Sequence, residues 1–151
     1  MAGMPDDFAV RARPAIEAQL QPGETLLGIA AANHAKTFSG QLYAIGATDQ
    51  RLILQPVDRH IQPKGAPLVL APGALDAAKI DGAGGGWFTA PSAILDVAAV
   101  TLEIRIRGGD KMKLMMMNGG SGIMGSLGGG ESQQAGVLGV ADFVRRNFPP
   151  R

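Results

Sequence analysis

The spacing of apolar residues divides the chain into a helical start, a strand-rich middle and a helical end. Near the start, apolar residues recur every four positions, the spacing of one helical face, at Phe8, Ala12, Ile16 and Leu20. Pro14 interrupts this segment, so we expect a short turn up to about Arg11 and a second helix from Pro14, ended by Pro22-Gly23. We predict an N-terminal helical segment over residues 1–20 and one domain over residues 21–151.

From Glu24 onward the apolar period changes to two, which is typical of strands. The predicted strands cover residues 24–32, 41–48, 51–57, 66–71, 76–81, 94–107 and 111–117. Asn33-His34 is expected to be a turn after the first of them. A last amphipathic segment begins at Glu131 and ends at Pro149. Its apolar face consists of Val137, Ala141, Val144 and Phe148. The pattern predicts a mainly β fold, a bent sandwich or open barrel of about seven antiparallel strands capped by the C-terminal helix.

The segment from Gln41 to Leu54 predicts a β-hairpin, because two apolar runs meet at Thr48-Asp49-Gln50-Arg51. A two-residue loop at Asp49-Gln50 pairs Ala47 with Leu52 and Ile45 with Leu54. It places Thr48 and Arg51 on the opposite face, with Ala44 and Gln55. Arg51 has two interpretations, an anion ligand or a residue that aids solubility or bonds nearby carbonyls. We prefer the second.

Three parts of the chain together resemble bacterial pleckstrin-homology-like domains, which are related to GRAM domains. They are Leu20-Gln21-Pro22-Gly23-Glu24, the hairpin Ala47-Thr48-Asp49-Gln50-Arg51-Leu52-Ile53-Leu54, and the helix end Phe143-Val144-Arg145-Arg146. The resemblance covers about residues 20–148. It implies a bent seven-stranded β-sandwich capped by a C-terminal helix, and a binding or scaffolding module instead of an enzyme.

A second predicted hairpin joins the last two strands. A three-residue loop, Gly108-Gly109-Asp110, keeps apolar residues opposite each other, whereas a two-residue loop does not. The resulting pairs are Ile106 with Met112, Ile104 with Leu114 and Leu102 with Met116. On the outer face, Arg107 then lies opposite Lys111 and Arg105 opposite Lys113.

These two like-charged pairs destabilise a sheet by some tenths of a kcal/mol unless solvent or an anion relieves them. One interpretation is an ordinary solvated strand face, partly compensated by Asp110 and Glu103. The other is an anion-binding face. Beside an anionic bilayer, each of the four basic residues contributes roughly 1 kcal/mol, which holds a protein weakly but does not anchor it.

Apolar residues next to this face offer a second contact. Met115 and Met117 share the outer face, and the following loop carries Ile123, Met124 and Leu127 among glycines. One interpretation is insertion into a bilayer edge or a partner's groove. The other is that these side chains fold back and cover the end of the sandwich.

Composition limits the function classes. The chain has 151 residues, a net charge of +1, no cysteine and 5% aromatic residues. These values fit a single domain and argue against a disulfide framework, a thiolate site and a nucleic-acid-binding surface. The acidic start, Asp6-Asp7, does not resemble a secretory signal, and no apolar run has membrane-spanning length. We expect a cytoplasmic protein that is peripheral to a membrane if the basic face binds lipid.

Several short motifs resemble cofactor-binding or metal-binding sites but lack the structural context that such sites require. Gly120-Ser121-Gly122-Ile123-Met124-Gly125 matches a dinucleotide fingerprint, but no second strand follows to complete a βαβ unit. His34 and His60, the only histidines, lack partners at metal-ligand spacing, and Asp58-Arg59-His60 is predicted to be a loop. Trp87-Phe88 follows a glycine-rich loop and is expected to dock on a face. No cofactor, metal site or catalytic group is predicted.

The leading hypothesis is therefore a non-enzymatic module that binds a protein partner or an anionic membrane surface. Its contact residues are Arg105, Arg107, Lys111, Lys113, Met115, Met117, Ile123, Met124 and Leu127. Two alternatives stay open. One is a homo-oligomer assembled through strand edges and glycine-rich loops. The other is a carrier of a small apolar ligand, with a cavity lined by Met112, Leu114 and the closing helix.

Overall fold

The computed structural model describes residues 4–35, 40–82, 99–109, 111–117 and 130–148. In chain order the elements are α1 (Met4–Glu17), β1 (Leu26–Ala35), β2 (Gly40–Thr48), β3 (Leu52–Val57), β4 (Leu68–Leu70), a 3-10 turn (Pro72–Ala74), β5 (Leu75–Gly82), β6 (Ala99–Ile106), β7 (Lys111–Met117) and α2 (Gly130–Asn147). The predicted fold class, mainly β with a C-terminal helix and a short N-terminal helix, is confirmed. The start of the sixth predicted strand, residues 94–98, lies outside the described residues.

All seven strands form one antiparallel sheet in the order β4-β3-β2-β1-β7-β6-β5. The sheet curves into a nearly closed barrel with β4 and β5 at its two edges. Alternate residues of the strands point inward and form one apolar cluster, which includes Ile45, Leu54, Leu102 and Leu114. This inner core is the consequence of the two-residue apolar period in the sequence.

The C-terminal helix packs against β1 and fills the inner core. Val137, Val140, Phe143 and Val144 are buried in that cluster. The helix backbone approaches the strand closely at Gly136, where an added Cβ would lie 2.4 Å from the backbone carbonyl of Ile29. Only glycine leaves room for this approach.

The N-terminal segment is one continuous helix, so the predicted break at Pro14 is wrong. The backbone N–H of Ala18 donates to the carbonyl of Pro14 (3.1 Å), which carries the helix past the proline. Pro14 removes one hydrogen bond to the carbonyl of Val10, but Val10 is 69% exposed and water can replace the donor. Burial of apolar side chains on both sides of Pro14 outweighs this loss.

Those side chains form a second apolar cluster on the outside of the sheet. Phe8, Ala12 and Ile16 of α1 pack on the outer face of β1–β3 and on the turn that follows β3. The other residues of this cluster are Ile29, Ala44, Ile53 and Val57 of the sheet and Ile61 of that turn. Strands β2 and β3 are therefore covered on both faces, which explains why Ala44 and Gln55 are buried.

The first hairpin has the predicted register, with Ala47 opposite Leu52 and Ile45 opposite Leu54. The predicted turn at Asn33-His34 is wrong. Both residues lie within β1, where they pair with Leu42 and Gln41 of β2 and with Met115 and Leu114 of β7. Strand β1 extends to Ala35 because it joins the two halves of the sheet, so neighbours on both sides satisfy its backbone groups there.

The second hairpin keeps the predicted faces but not the predicted register. Arg105 lies opposite Lys111 and Glu103 opposite Lys113, so five residues separate the last pair instead of three. None of the predicted pairs forms, including Ile106 with Met112 and Arg107 with Lys111. Met112 instead lies opposite Ile104, Leu114 opposite Leu102 and Met116 opposite Val100. A shift of two residues leaves each side chain on its own face, and it replaces one of the two like-charged pairs by the opposite charges of Glu103 and Lys113.

Candidate functional site

The outer face of β5, β6 and β7 brings four basic side chains around one carboxylate. One row across the three strands consists of Ala77, Arg105 and Lys111, and the next row of Lys79, Glu103 and Lys113. We call Lys79, Arg105, Lys111 and Lys113, together with Glu103, the basic face. The basic face therefore concentrates positive charge on one side of a protein whose net charge is only +1.

The charges on the basic face are only partly compensated. Lys111 Nζ lies 3.5 Å from Glu103 Oε2, and the Glu103 side chain is 26% exposed. Arg105 and Lys113 are exposed and make no ion pair within the part of the chain that the structure describes. Exposed ion pairs contribute little to stability, so Lys111 can exchange its partner at small cost.

Arg107 lies at the margin of this face and not within it. Its Nε donates to the carbonyl of Gly73 (3.0 Å), and its backbone N–H donates to the carbonyl of Ala74 (2.9 Å). Its guanidinium lies 3.6 Å from a carboxylate oxygen of Asp76. These bonds hold Arg107 on the connection that precedes β5, which is why it does not pair with Lys111.

A groove runs along the basic face between β5 and the β6–β7 hairpin. Its volume is about 410 Å³, and its lining residues are Asp76, Ala77, Ala78, Lys79, Glu103, Ile104, Arg105 and Lys111. The small side chain of exposed Ala77 forms the floor, while the long basic side chains stand at its sides. The arrangement provides a concave surface with positive charge above an apolar floor.

Apart from Arg107, the sequence-predicted contact residues divide into two groups. Arg105, Lys111, Lys113 and Met115 share the outer face as expected, and Met115 is 47% exposed. Met117 ends β7 opposite Ala99, but its side chain lies outside the described residues, as do Ile123, Met124 and Leu127. The sequence analysis missed Lys79. The available signal was its position next to apolar Ile80, which is buried, in a strand that the sequence predicts only weakly.

Arg51 belongs to a buried network instead of a ligand site. Its Nε and Nη2 donate to the two carboxylate oxygens of Glu24 (2.9 and 2.5 Å), and Nη2 also donates to the carbonyl of Gln19. Thr48 Oγ1 donates to Glu24 (2.6 Å), as does the backbone N–H of Gln21. The Glu24 side chain is 0% exposed and that of Arg51 12%. This favours the structural interpretation of Arg51.

The network controls the protonation of Glu24. The Arg51 hydrogen bond is the main cause that lowers the pKa of Glu24 to about 2, with burial acting in the opposite direction. The same bond raises the pKa of Arg51. Asp49 extends the network, because it accepts from the backbone of Thr25 and from Arg146 of α2. The three segments that resemble pleckstrin-homology-like domains therefore meet in space.

The two histidines lie in different elements of the fold. His34 lies in β1 with its ring centroid 6.3 Å from that of Tyr43, and His60 lies in the turn after β3. The predicted loop Asp58-Arg59-His60 is confirmed, since Asp58 accepts from the backbone N–H of His60 and of Gln62. Among the described residues, no three His, Asp or Glu side chains converge as a metal-binding group.

Comparison with known proteins gives one distant structural similarity. No family model matches the chain, and no curated protein matches it. Among solved structures, it is similar to the hSac2 domain from human phosphoinositide phosphatase Sac2, with 10% identity, a TM-score of 0.47, 86% of this chain covered and 78% of that one. A similarity of this degree supports no functional argument. Within the described residues, neither helix combines the length and the hydropathy that crossing a bilayer requires.

Proposed function

We propose that this protein is a non-enzymatic binding module whose basic face holds it reversibly against an anionic membrane surface. The observation that carries the proposal is the cluster of Lys79, Arg105, Lys111 and Lys113 on one side of a nearly neutral protein. Membership of the bacterial pleckstrin-homology-like domains is part of the proposal. It is supported by the meeting of Glu24, Thr48 and Arg51 in one network.

The expected affinity is modest. Each basic residue near an anionic leaflet contributes about 1 kcal/mol, and Glu103 opposes this attraction. The net attraction of about 3 kcal/mol corresponds to a preference of roughly 150-fold for anionic over neutral lipid. Met115 lies beside Lys113 on the same face, where an apolar side chain can contact the interface between headgroups and acyl chains.

Flotation with vesicles tests this proposal. We expect the wild-type protein to float with vesicles that contain 30% phosphatidylglycerol and not with pure phosphatidylcholine. A variant that carries Arg105→Gln, Lys111→Gln and Lys113→Gln should remain at the bottom of the gradient. A matched control, Arg11→Gln, Arg59→Gln and Lys64→Gln, removes the same charge elsewhere and should float like the wild type.

Two results would contradict the proposal. Failure of both triple variants to float would show that net charge, and not the basic face, determines binding. Absence of flotation for the wild-type protein would exclude lipid as the main partner. The search would then move to an acidic protein partner for the same face and to self-association, measured by light scattering at several concentrations.

The alternative of an apolar-ligand carrier loses support from the packing. Met112 and Leu114, which would line the cavity, pack in the inner core together with Phe143 and Val144 of α2. These side chains occupy the interior where the ligand would have to sit. An apolar ligand would therefore have to displace core residues, at a cost of several kcal/mol.

A further inference from the structure

We infer that the groove over Ala77 is a pocket for a phosphomonoester group, an inference that rests on the proposed function of the basic face. The groove has a size that suits a phosphate with a small organic substituent, since ligand pockets commonly measure about 300–1,000 Å³ and this one about 410 Å³. The hollow exists because Ala77 stands in a row with two long side chains, Arg105 and Lys111.

Arg105 is the principal donor for such a group. The acids that line the groove already have cationic partners, since Glu103 pairs with Lys111 and Asp76 with Arg107. Arg105 makes no ion pair with any described residue. A guanidinium presents parallel N–H groups that match two phosphate oxygens, so Arg105 can bind a phosphate in a bidentate way.

Lys111 is the second donor, and the charge of the ligand sets the selectivity. The Lys111–Glu103 contact is 3.5 Å long and more than half exposed on the lysine side, so a stronger anion can take the place of the carboxylate. A phosphomonoester carries about −1.5 to −2 charges at pH 7, whereas a phosphodiester carries one. The doubly charged monoester gains more than the singly charged diester from Arg105 and Lys111, because Coulomb attraction grows with the charge of the ligand and Glu103 and Asp76 are already paired with cations. The pocket therefore favours monoesters over diesters.

A phosphomonoester group is found in a free sugar phosphate or glycerol phosphate and in a lipid with a terminal phosphate. Titration with glycerol 3-phosphate, followed by amide NMR shifts of residues 77–79 and 103–105, tests the free ligand. Dimethyl phosphate serves as the diester control. We expect saturable shifts with the monoester and an affinity at least about tenfold weaker for the diester. Equal affinity for the two compounds would overturn the inference.

Ala77→Leu tests the shape of the groove without any change in charge. Ala77 is exposed, so the larger side chain fills the groove without entering the core. We expect this variant to bind glycerol 3-phosphate at least about tenfold more weakly, whereas Ala66→Leu, at another exposed alanine, should bind like the wild type. Unchanged circular dichroism and melting temperature serve as the folding control. A second variant, Arg105→Gln, should lose the same binding. Full binding by folded Ala77→Leu would overturn the inference.

Vesicles separate this inference from the proposed function. Vesicles with phosphatidic acid and vesicles with phosphatidylglycerol, matched in surface charge, present a monoester and a diester. If the pocket binds the lipid phosphate, wild type prefers phosphatidic acid and Ala77→Leu loses that preference while it still floats with both lipids. Equal flotation of both proteins with both lipids would show that the pocket does not bind the lipid phosphate and that the basic face contacts membranes only by diffuse electrostatic attraction. Saturable glycerol phosphate binding without any flotation would uphold the pocket and refute the membrane proposal.

Discussion

The most quantitative prediction concerns the buried pair of Glu24 and Arg51. Glu24→Gln preserves the shape of the side chain and removes its charge. The variant leaves Arg51, whose side chain is only 12% exposed, without its carboxylate partner. We expect a large loss of stability near neutral pH, because breaking a buried pair leaves an uncompensated charge.

The pKa of Glu24 gives the magnitude and the pH range. The folded state holds this pKa at about 2, against an ordinary value of about 4.3. Since 1.36 kcal/mol corresponds to one pKa unit, the ionised carboxylate stabilises the fold by on the order of 3 kcal/mol. A depressed pKa means that this stabilisation is complete above about pH 5 and disappears as the pH falls through about 2.

Urea denaturation at several pH values between 7 and 2.5 measures this contribution. We expect the free energy of unfolding of wild type to exceed that of Glu24→Gln by about 3 kcal/mol at pH 7, and the difference to shrink steadily below pH 5. Glu17→Gln, which breaks the exposed pair with Arg13, is the control and should change stability by less than about 0.5 kcal/mol. A difference between wild type and Glu24→Gln that stays constant with pH would refute the reasoning.

Three further predictions concern the face and the packing of the helices. Glu103→Gln should raise the affinity for anionic vesicles by about fivefold, since it removes the charge that opposes binding, and flotation at several lipid concentrations measures it. Gly136→Ala should destabilise the fold by 1 kcal/mol or more, on the order of the cost of overpacking, because its Cβ would meet the backbone of Ile29; thermal denaturation checks this. Ile16→Ala should cost about 2–5 kcal/mol in urea denaturation, since Ile16 is fully buried between α1 and the sheet.

The spacing of apolar residues in the sequence predicted most of the fold. It predicted the strands, both helical ends and the register of the first hairpin, where the turn at Asp49-Gln50 allows only one pairing that sorts the faces. Alternation alone cannot determine the register of the second hairpin, because a slip of two residues returns every side chain to the same face. There the hydrogen bonds of Arg107 to Gly73 and Ala74 accompany the observed register, and no local pattern shows them.

Long-range contacts account for the other differences. Pro14 predicts a helix break, yet the outer face of β1–β3 offers an apolar surface that buries α1 on both sides of the proline. Lys79 joins the basic face because β5 pairs with β6, which places it opposite Glu103. The partnership of Glu24 with Arg51 spans 27 positions in the sequence, and nothing in the hairpin motif identifies Glu24 as the partner of Arg51. The basic residues of β6 and β7 were visible from the sequence, but the groove that they border was not.

The central claim is that the outer face of β5, β6 and β7 binds an anionic surface. The most direct measurement is flotation of wild type and of the variant Arg105→Gln, Lys111→Gln, Lys113→Gln with anionic vesicles. We expect that wild type floats, that the variant does not, and that the control with Arg11, Arg59 and Lys64 changed to Gln floats like wild type. Flotation of the basic-face variant at the wild-type level would contradict it.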